Sequence, residues 1–323
     1  MNMTVKSRTS GITLLAGLIA LGLIAKPFGM VGSAQSSREA EGARLLRGAL
    51  DLHLHMDPRT PGSGMGGDRA DLSTVRLARA RGMRGLLIKD HYHPSAPLAY
   101  HMRLEVPGIE LFGGFAMNRA NGGINVAGVE LMATRVRGEP GRIVWMPAGD
   151  SEIEARESKD PNRPFVAVSR NGELLPEVKQ VLSIIAKHGL VIASGHIAPE
   201  EALMLFREAR RLGVQHMIAT HAMDLAGKMT LEQMQEAAKI GAFIEFDMRN
   251  VLEGGRVEAI RKLGPQVCFL TEFWTRAGTM SEYASLEGIG AFAESMHARG
   301  FTDKDLDLLF KENPARILGL SAQ

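Results

Sequence analysis

Short apolar runs alternate with longer amphipathic stretches along most of the chain, at intervals of roughly 25 to 45 residues. Several runs are continuous in Ile, Leu, Val and Phe, which is typical of strands buried on both faces of a parallel sheet. Eight runs are predicted to be strands: Ala49–His55, Gly85–His91, Glu110–Met117, Arg142–Pro147, Leu190–His196, Gln215–His221, Ala242–Asp247 and Gln266–Phe273.

The stretches between these runs have helical periodicity. Val178, Val181, Leu182 and Ile185, for example, form one stripe that ends before Gly189. A strand, a helix and a glycine repeated eight times predict an α/β protein, a single-domain (β/α)8 TIM barrel over residues 47–323. A doubly wound open sheet is the alternative, but no glycine-rich phosphate fingerprint follows the first strand.

The first 34 residues have the pattern of a signal peptide. Lys6 and Arg8 precede the uncharged run Ile12–Ala25, and small residues follow up to Ala34. The apolar run, about 14 residues, is shorter than the roughly 20 that cross a bilayer. We therefore expect an exported protein, periplasmic or secreted and free of the membrane after cleavage, with residues 35–46 as a flexible lead-in. An uncleaved N-terminal anchor is the alternative.

Composition indicates which partners to expect and what stabilises the fold. The net charge is only +2 and aromatic residues are 5% of the chain, without a basic block that contains aromatics. Nucleic acid is therefore not an expected partner. Cys268 is the single cysteine, so no internal disulfide can form and the hydrophobic core must hold the fold. A small-molecule substrate is expected, and a homo-oligomer is compatible with the sequence.

Four of the predicted strands end in histidine, and the first, fifth and sixth form one pattern. Because side chains alternate along a strand, His53 and His55 should project to the same side of the first one. His196 ends the fifth run and His221 ends the sixth. Strand C-termini of a parallel barrel open on one face, so we expect these four imidazoles to bind a divalent metal there. The alternative is four unrelated histidines, each satisfied separately.

This pattern resembles the metal-dependent amidohydrolase superfamily, over roughly residues 47–320. The segment Asn313–Leu320 is similar to the one that closes those barrels. The resemblance implies a metal-dependent hydrolase that activates water to cleave a small amide, cyclic amide, ester or lactone. Zinc is the expected metal, with manganese or iron as alternatives.

Two departures from the superfamily shape the expected site. Glu272 stands where the last strand usually ends in Asp, and we expect it to serve as metal ligand and general base. The fourth run lacks the Lys or Glu that bridges two metals, which favours one ion over two. His221 or Lys89 could stabilise the oxyanion. Lys89 could instead be carbamylated, bind a substrate carboxylate or pair with an acid.

Two residues near the predicted mouth are candidates for a further metal ligand or a substrate contact, namely His91 and Asn118. The pair Asp90-His91 is similar to the PHP phosphoesterases, so a PHP-like phosphoesterase is the alternative activity. A catalytically inactive, exported binding barrel is a third interpretation.

Overall fold

The computed structural model describes residues 28–56, 72–135, 141–224, 228–273, 275–276, 279–280 and 285–321. Eight parallel strands pair in chain order and confirm the predicted (β/α)8 barrel. Each begins within two residues of its predicted start: β1 (Leu50–His55), β2 (Gly85–Lys89), β3 (Glu110–Ala116), β4 (Gly141–Trp145), β5 (Val191–Ala193), β6 (His216–Ala219), β7 (Ala242–Asp247) and β8 (Cys268–Thr271).

Helices fill the intervals between the strands. They are α1 (Phe28–Leu46), α2 (Leu72–Ala80), α3 (Ala96–Glu105), α4 (Val126–Arg135), α5 (Glu152–Arg156), α6 (Pro176–His188), α7 (Pro199–Arg211), α8 (Leu231–Ile240), α9 (Arg256–Leu263), α10 (Leu286–His297), α11 (Asp303–Asp307) and α12 (Asn313–Ile317). Short 3-10 turns cover Arg119–Asn121 and Pro265–Val267, a π-helical turn covers Leu308–Glu312, and two small antiparallel pairs join Ser169–Arg170 to Glu173–Leu174 and Thr275–Arg276 to Thr279–Met280.

The side chain of Asp51 connects the two ends of the sheet. One oxygen accepts the backbone N–H of Glu272 at 3.1 Å and the other accepts that of Phe273 at 3.0 Å. The first oxygen also accepts the N–H of His53 at 3.0 Å. Three backbone donors from β1 and the end of β8 are therefore satisfied by one buried carboxylate, which holds the seam of the barrel.

The C-terminal segment closes the barrel at its N-terminal end, as the resemblance implied. Ile317 and Leu318 belong to the same buried cluster as Leu50, Phe112 and other inner residues of the strands. The Asn313 amide donates at 2.7 Å to the backbone carbonyls of both Pro265 and Cys268. Cys268 itself is buried, and burial raises the pKa of its thiol.

Helix α1 replaces the flexible lead-in that the sequence predicted for residues 35–46. Leu45 and Leu46 are fully buried, so the segment is part of the core. Gly42 and Gly290 let α1 and α10 approach each other: an added Cβ at either position would lie 2.0 Å from a backbone oxygen of the other helix. The polar sequence conceals this packing because only one face of the helix is apolar.

The predicted signal peptide overlaps the described chain only at residues 28–34, which form the start of α1. Residues 1–27 lie outside the described residues, so cleavage after Ala34 stays a prediction. No helix of the described ranges combines the length and the apolar character that a membrane span requires.

Candidate metal centre

Three strands, β1, β6 and β8, deliver a compact group of side chains to the C-terminal mouth of the barrel. His53 and His55 lie at the end of β1 with ring centroids 4.9 Å apart. His221 follows β6 by two residues, and its ring lies 4.5 Å from that of His53. Glu272 follows β8 directly, with 1% of its surface exposed. Parallel packing therefore brings together residues more than two hundred positions apart.

A β-bulge aims the two histidines of β1. One extra residue enters this strand between Asp51 and Leu54, relative to its partner β2. Leu50 and Leu52 pack with the inner cluster, whereas Leu54, where the regular register resumes, packs with the helix-facing core. The bulge thus exchanges the faces of the strand, a common device beside functional sites. It places His53 and His55 on the inner side, as predicted.

One oxygen of Glu272 lies opposite three imidazole nitrogens. The distance from Oε1 to Nε2 is 3.9 Å for His53, 3.6 Å for His55 and 3.3 Å for His221. The facing atoms of His53, His55 and Glu272 all lie within 4.8 Å of one another. Among the described residues, neither oxygen of Glu272 has a hydrogen bond of good geometry.

Both His221 and Glu272 have left-handed backbone conformations, with φ of 46° and 58°. Such conformations cost non-glycine residues of order 1–3 kcal/mol and concentrate at functional sites. Here the turn after β6 and the turn after β8 point a donor side chain back into the mouth.

Glu245 on β7 orients the imidazoles from behind. Its Oε1 lies 2.5 Å from Nδ1 of His53 and 3.9 Å from Nδ1 of His221, and it accepts the Thr271 hydroxyl at 2.8 Å. An ionised carboxylate requires the proton of His53 on Nδ1, which leaves a lone pair on Nε2. Such carboxylate–histidine pairs typically fix the tautomer of a metal ligand.

The electrostatic environment affects the proposed donors in different directions. Burial lowers the pKa of His53 well below its usual range, and the Lys89 charge adds to this. Burial also opposes the charged form of His221, but Glu245, Glu272 and Asp247 outweigh it and raise that pKa. Despite burial, the His221 and His55 imidazoles hold the pKa of Glu272 well below its ordinary value. Glu272 is therefore an anion at neutral pH.

Lys89 is fully buried at the end of β2, with Nζ 2.8 Å from Nε2 of His53. The same ammonium lies 5.4 Å from the ring centroid of Trp145, at the end of β4. Lys89 thus contacts the predicted ligand set, although it lies two strands from the usual position of a bridging lysine. A metal ion on Nε2 of His53 would have to displace this hydrogen bond.

The remaining predicted residues surround the group. The His91 ring stacks on His55 at 4.8 Å. His196, three residues beyond β5, lies 5.8 Å from the His221 ring, and its Nδ1 is 3.3 Å from Glu154. It is not part of the compact donor groups of the described residues.

Asn118 has a different position from the one expected of a substrate contact. It is buried, donates to the His91 carbonyl at 3.1 Å and accepts the N–H of Ala148 at 2.8 Å. These bonds tie three loops of the mouth together.

Sequence reasoning missed Glu245 and Arg249 and left Asp247 without a role. The signal was present in β7, where two acids alternate within an otherwise apolar strand. Both are buried, and Arg249 pairs with Asp247 and, at 2.9 Å, with Glu272. An acid in a strand that is buried on both faces needs a partner, and this requirement could have identified them.

The donor set fits a divalent transition metal. It combines imidazole nitrogens with an anionic carboxylate oxygen, and these atoms lie within 4.8 Å of one another. Zinc, manganese and iron all accept such ligands.

Comparison with known proteins places the chain in a family. Residues 48–245, more than half of the chain, match the family of unknown function DUF6282. The chain belongs to DUF6282. The match includes His53, His55, Lys89, His196, His221 and Glu245. No curated protein matches this DUF6282 member.

Solved structures confirm the fold of this DUF6282 protein. It is similar to an amidohydrolase from Pseudomonas aeruginosa, with TM-score 0.59, 11% identity and coverage of 86% of this chain and 98% of that one. The organophosphorus hydrolase from Deinococcus radiodurans gives TM-score 0.56 and 16% identity, covering 86% and 94%. The probable dipeptidase PvdM from Pseudomonas aeruginosa gives 0.58 and 13%, covering 89% and 98%. At these identities the likeness establishes the (β/α)8 barrel fold alone.

Proposed function

We propose that this protein is a metal-dependent hydrolase of the amidohydrolase type, acting on a small amide, cyclic amide, ester or lactone. One observation carries the proposal: three imidazole Nε2 atoms lie within 3.9 Å of a single buried carboxylate oxygen. A buried charge is normally paired or coordinates a metal ion, and this oxygen faces imidazoles, which are common metal ligands. The neighbouring structures, named as hydrolases, support the same class.

The ligands we assign are His53, His55 and Glu272, with His221 as a further donor. Glu245 orients His53 and His221, while His196 lies next to the His221 ring and pairs with Glu154. Zinc is the metal we propose. When bound, such an ion polarises a substrate oxygen and lowers the pKa of water from about 15.7 toward 7.

Glu272 and His221 would move the protons of the reaction. Glu272 is anionic, and its Oε1 lies 3.3 Å from Nε2 of His221, close to hydrogen-bond reach. It can take a proton from the attacking water and deliver it to the leaving group, a role worth typically 10²–10⁴-fold in rate.

Lys89 would stabilise the oxyanion. Its Nζ lies beside His53, 2.8 Å from Nε2, and so is within reach of a substrate oxygen at the proposed ion. A developing negative oxygen of the substrate would accept a hydrogen bond from it, and a buried donor of this kind contributes a few kcal/mol.

Elemental analysis of the purified protein, joined to a substrate panel, tests the proposal. We expect bound transition metal and turnover of at least one lactone, aryl ester, cyclic amide or dipeptide, both lost in His53→Ala. His101→Ala, on the exposed surface of α3, is the matched control and should retain both.

The alternatives give different results on the same panel. Three ions per chain with turnover of phosphoesters alone would indicate the PHP-like activity. Ligand binding by calorimetry without turnover of any substrate would indicate a binding barrel. A wild-type protein without transition metal, matched in every assay by His53→Ala, would refute the proposal.

Export completes the proposal. Cleavage after Ala34 would leave Leu45 and Leu46 of α1, which are buried, in the mature chain. N-terminal sequencing of the protein recovered outside the cytoplasm should therefore begin at Gln35. Recovery of the uncleaved chain in the membrane fraction would favour an anchor instead.

A further inference from the structure

A second group of metal-ligating atoms adjoins the first. His221, Asp247 and Glu272 offer donor atoms that all lie within 4.8 Å of one another. All three are buried, and Asp247 and Glu272 are carboxylates. The group shares Glu272 with the His53–His55 set, so the mouth contains donors for two neighbouring ions.

Arg249 engages both carboxylates of this second group. Its Nε donates to Oδ2 of Asp247, its Nη2 contacts the same oxygen, and Nη2 lies 2.9 Å from Oε2 of Glu272. The backbone N–H of Arg249 donates to the other Asp247 oxygen at 2.8 Å. The two oxygens of Glu272 therefore have different neighbours. Oε2 faces the guanidinium, and Oε1 faces the imidazoles.

We propose that the Arg249 guanidinium is the resident cation of the second group, so that the mouth binds one metal ion, at His53, His55 and Glu272 Oε1. The inference rests on the proposed function, because it assumes that the first group binds metal. A guanidinium is permanently charged and cannot deprotonate to make room for a dication. It also occupies the carboxylate oxygens that a second ion would require.

The charges of the buried carboxylates agree with this assignment. Asp247 and Glu272 lie close enough for each to disfavour the charge on the other, and burial adds to the cost. One fixed positive charge between them offsets that cost without a metal. β4 also contains no Lys or Glu that could bridge two ions.

Metal stoichiometry after loading tests the inference directly. Wild type, Arg249→Met and Arg249→Lys are stripped with chelator, reloaded with excess Mn²⁺ and desalted. Ions per chain are then counted by mass spectrometry. We expect one for wild type, one for Arg249→Lys and two for Arg249→Met. The two ions of Arg249→Met should also give the electron paramagnetic resonance signature of a coupled manganese pair.

Two further variants make the test specific. Arg256→Met removes another arginine of the mouth, one that pairs with Asp224, and should leave one ion. The double variant Arg249→Met/Asp247→Asn should return the count from two to one. Circular dichroism confirms folding, and Arg249→Gln replaces Arg249→Met if the latter does not fold.

The outcomes separate this inference from the proposed function. One ion in both wild type and Arg249→Met would overturn the role of Arg249 while leaving the hydrolase proposal intact. Two ions in wild type would likewise overturn it. A wild type that binds no ion would refute the proposed metal centre, and the inference with it.

Discussion

Replacing Glu245 by Gln isolates the residue that orients the histidines without removing any proposed ligand. The glutamine keeps the shape of the side chain but loses its charge. In the wild type, the Nδ1–H of His53 and the Thr271 hydroxyl both donate to Oε1 of Glu245, at 2.5 and 2.8 Å. In the variant, the single amide oxygen has to accept both hydrogen bonds.

The expected loss of metal affinity follows from these contacts. Removing a carboxylate that orients a ligand histidine typically lowers metal affinity 10–100-fold, about 1.4–2.7 kcal/mol. The short distance to His53 and the proximity of His221 favour the upper half of this range. Burial raises the pKa of Glu245. Above that pKa, the ionised carboxylate therefore lowers the free energy of unfolding of the metal-free protein. The metal-free variant should therefore be at least as stable as metal-free wild type.

Competition with a chromophoric zinc chelator measures the affinity, and urea unfolding of the stripped proteins measures the stability. Glu110→Gln, at the start of β3 where the side chain pairs with Arg84, is the matched control and should bind metal like wild type. An affinity for Glu245→Gln within twofold of wild type would refute the orienting role. An equal loss in Glu110→Gln would show that the effect is not local.

Three further predictions test the seam, the helix contact and the protonation of the site. Asp51→Asn should lower the free energy of unfolding by about 1–3 kcal/mol, because an amide N–H then faces a backbone donor; an unchanged urea midpoint would contradict this. Gly290→Ala should cost about 1–3 kcal/mol by forcing α1 from α10. Gly149→Ala, with no atom within 4 Å of the added methyl, should cost far less in the same urea assay. Because its pKa is raised, His221 keeps its proton to higher pH, so metal affinity should fall about tenfold per pH unit below that pKa. Equal affinities at pH 6 and pH 8 in the chelator assay would speak against His221 as a ligand.

The strands were predictable because a parallel barrel buries both faces of each one. Continuous apolar runs such as those of β2 and β5 are typical of this environment, and all eight starts were located within two residues. Helix α1 was not predicted, since its polar face dominates the sequence and its contact with α10 depends on two glycines far apart in the chain.

The site was only partly predictable, for a related reason. His53 and His55 are two residues apart on one strand, so the sequence states their relation directly. Glu245 gives no such local signal, because its partner is 192 positions away. The β-bulge in β1, which decides the face that the histidines occupy, appears only when β1 is paired with β2.

By itself, the sequence determined the (β/α)8 architecture, the mouth at which strand-end histidines meet, and a carboxylate after the last strand. These features follow from periodicity and from the parallel direction of the strands, which are properties of each segment alone. The tertiary structure decided which atoms face one another: that Asp51 holds the seam, that Glu245 orients His53, and that Arg249 pairs with Asp247 and Glu272. Those relations depend on distances of a few ångströms between distant segments, and local sequence does not encode such distances.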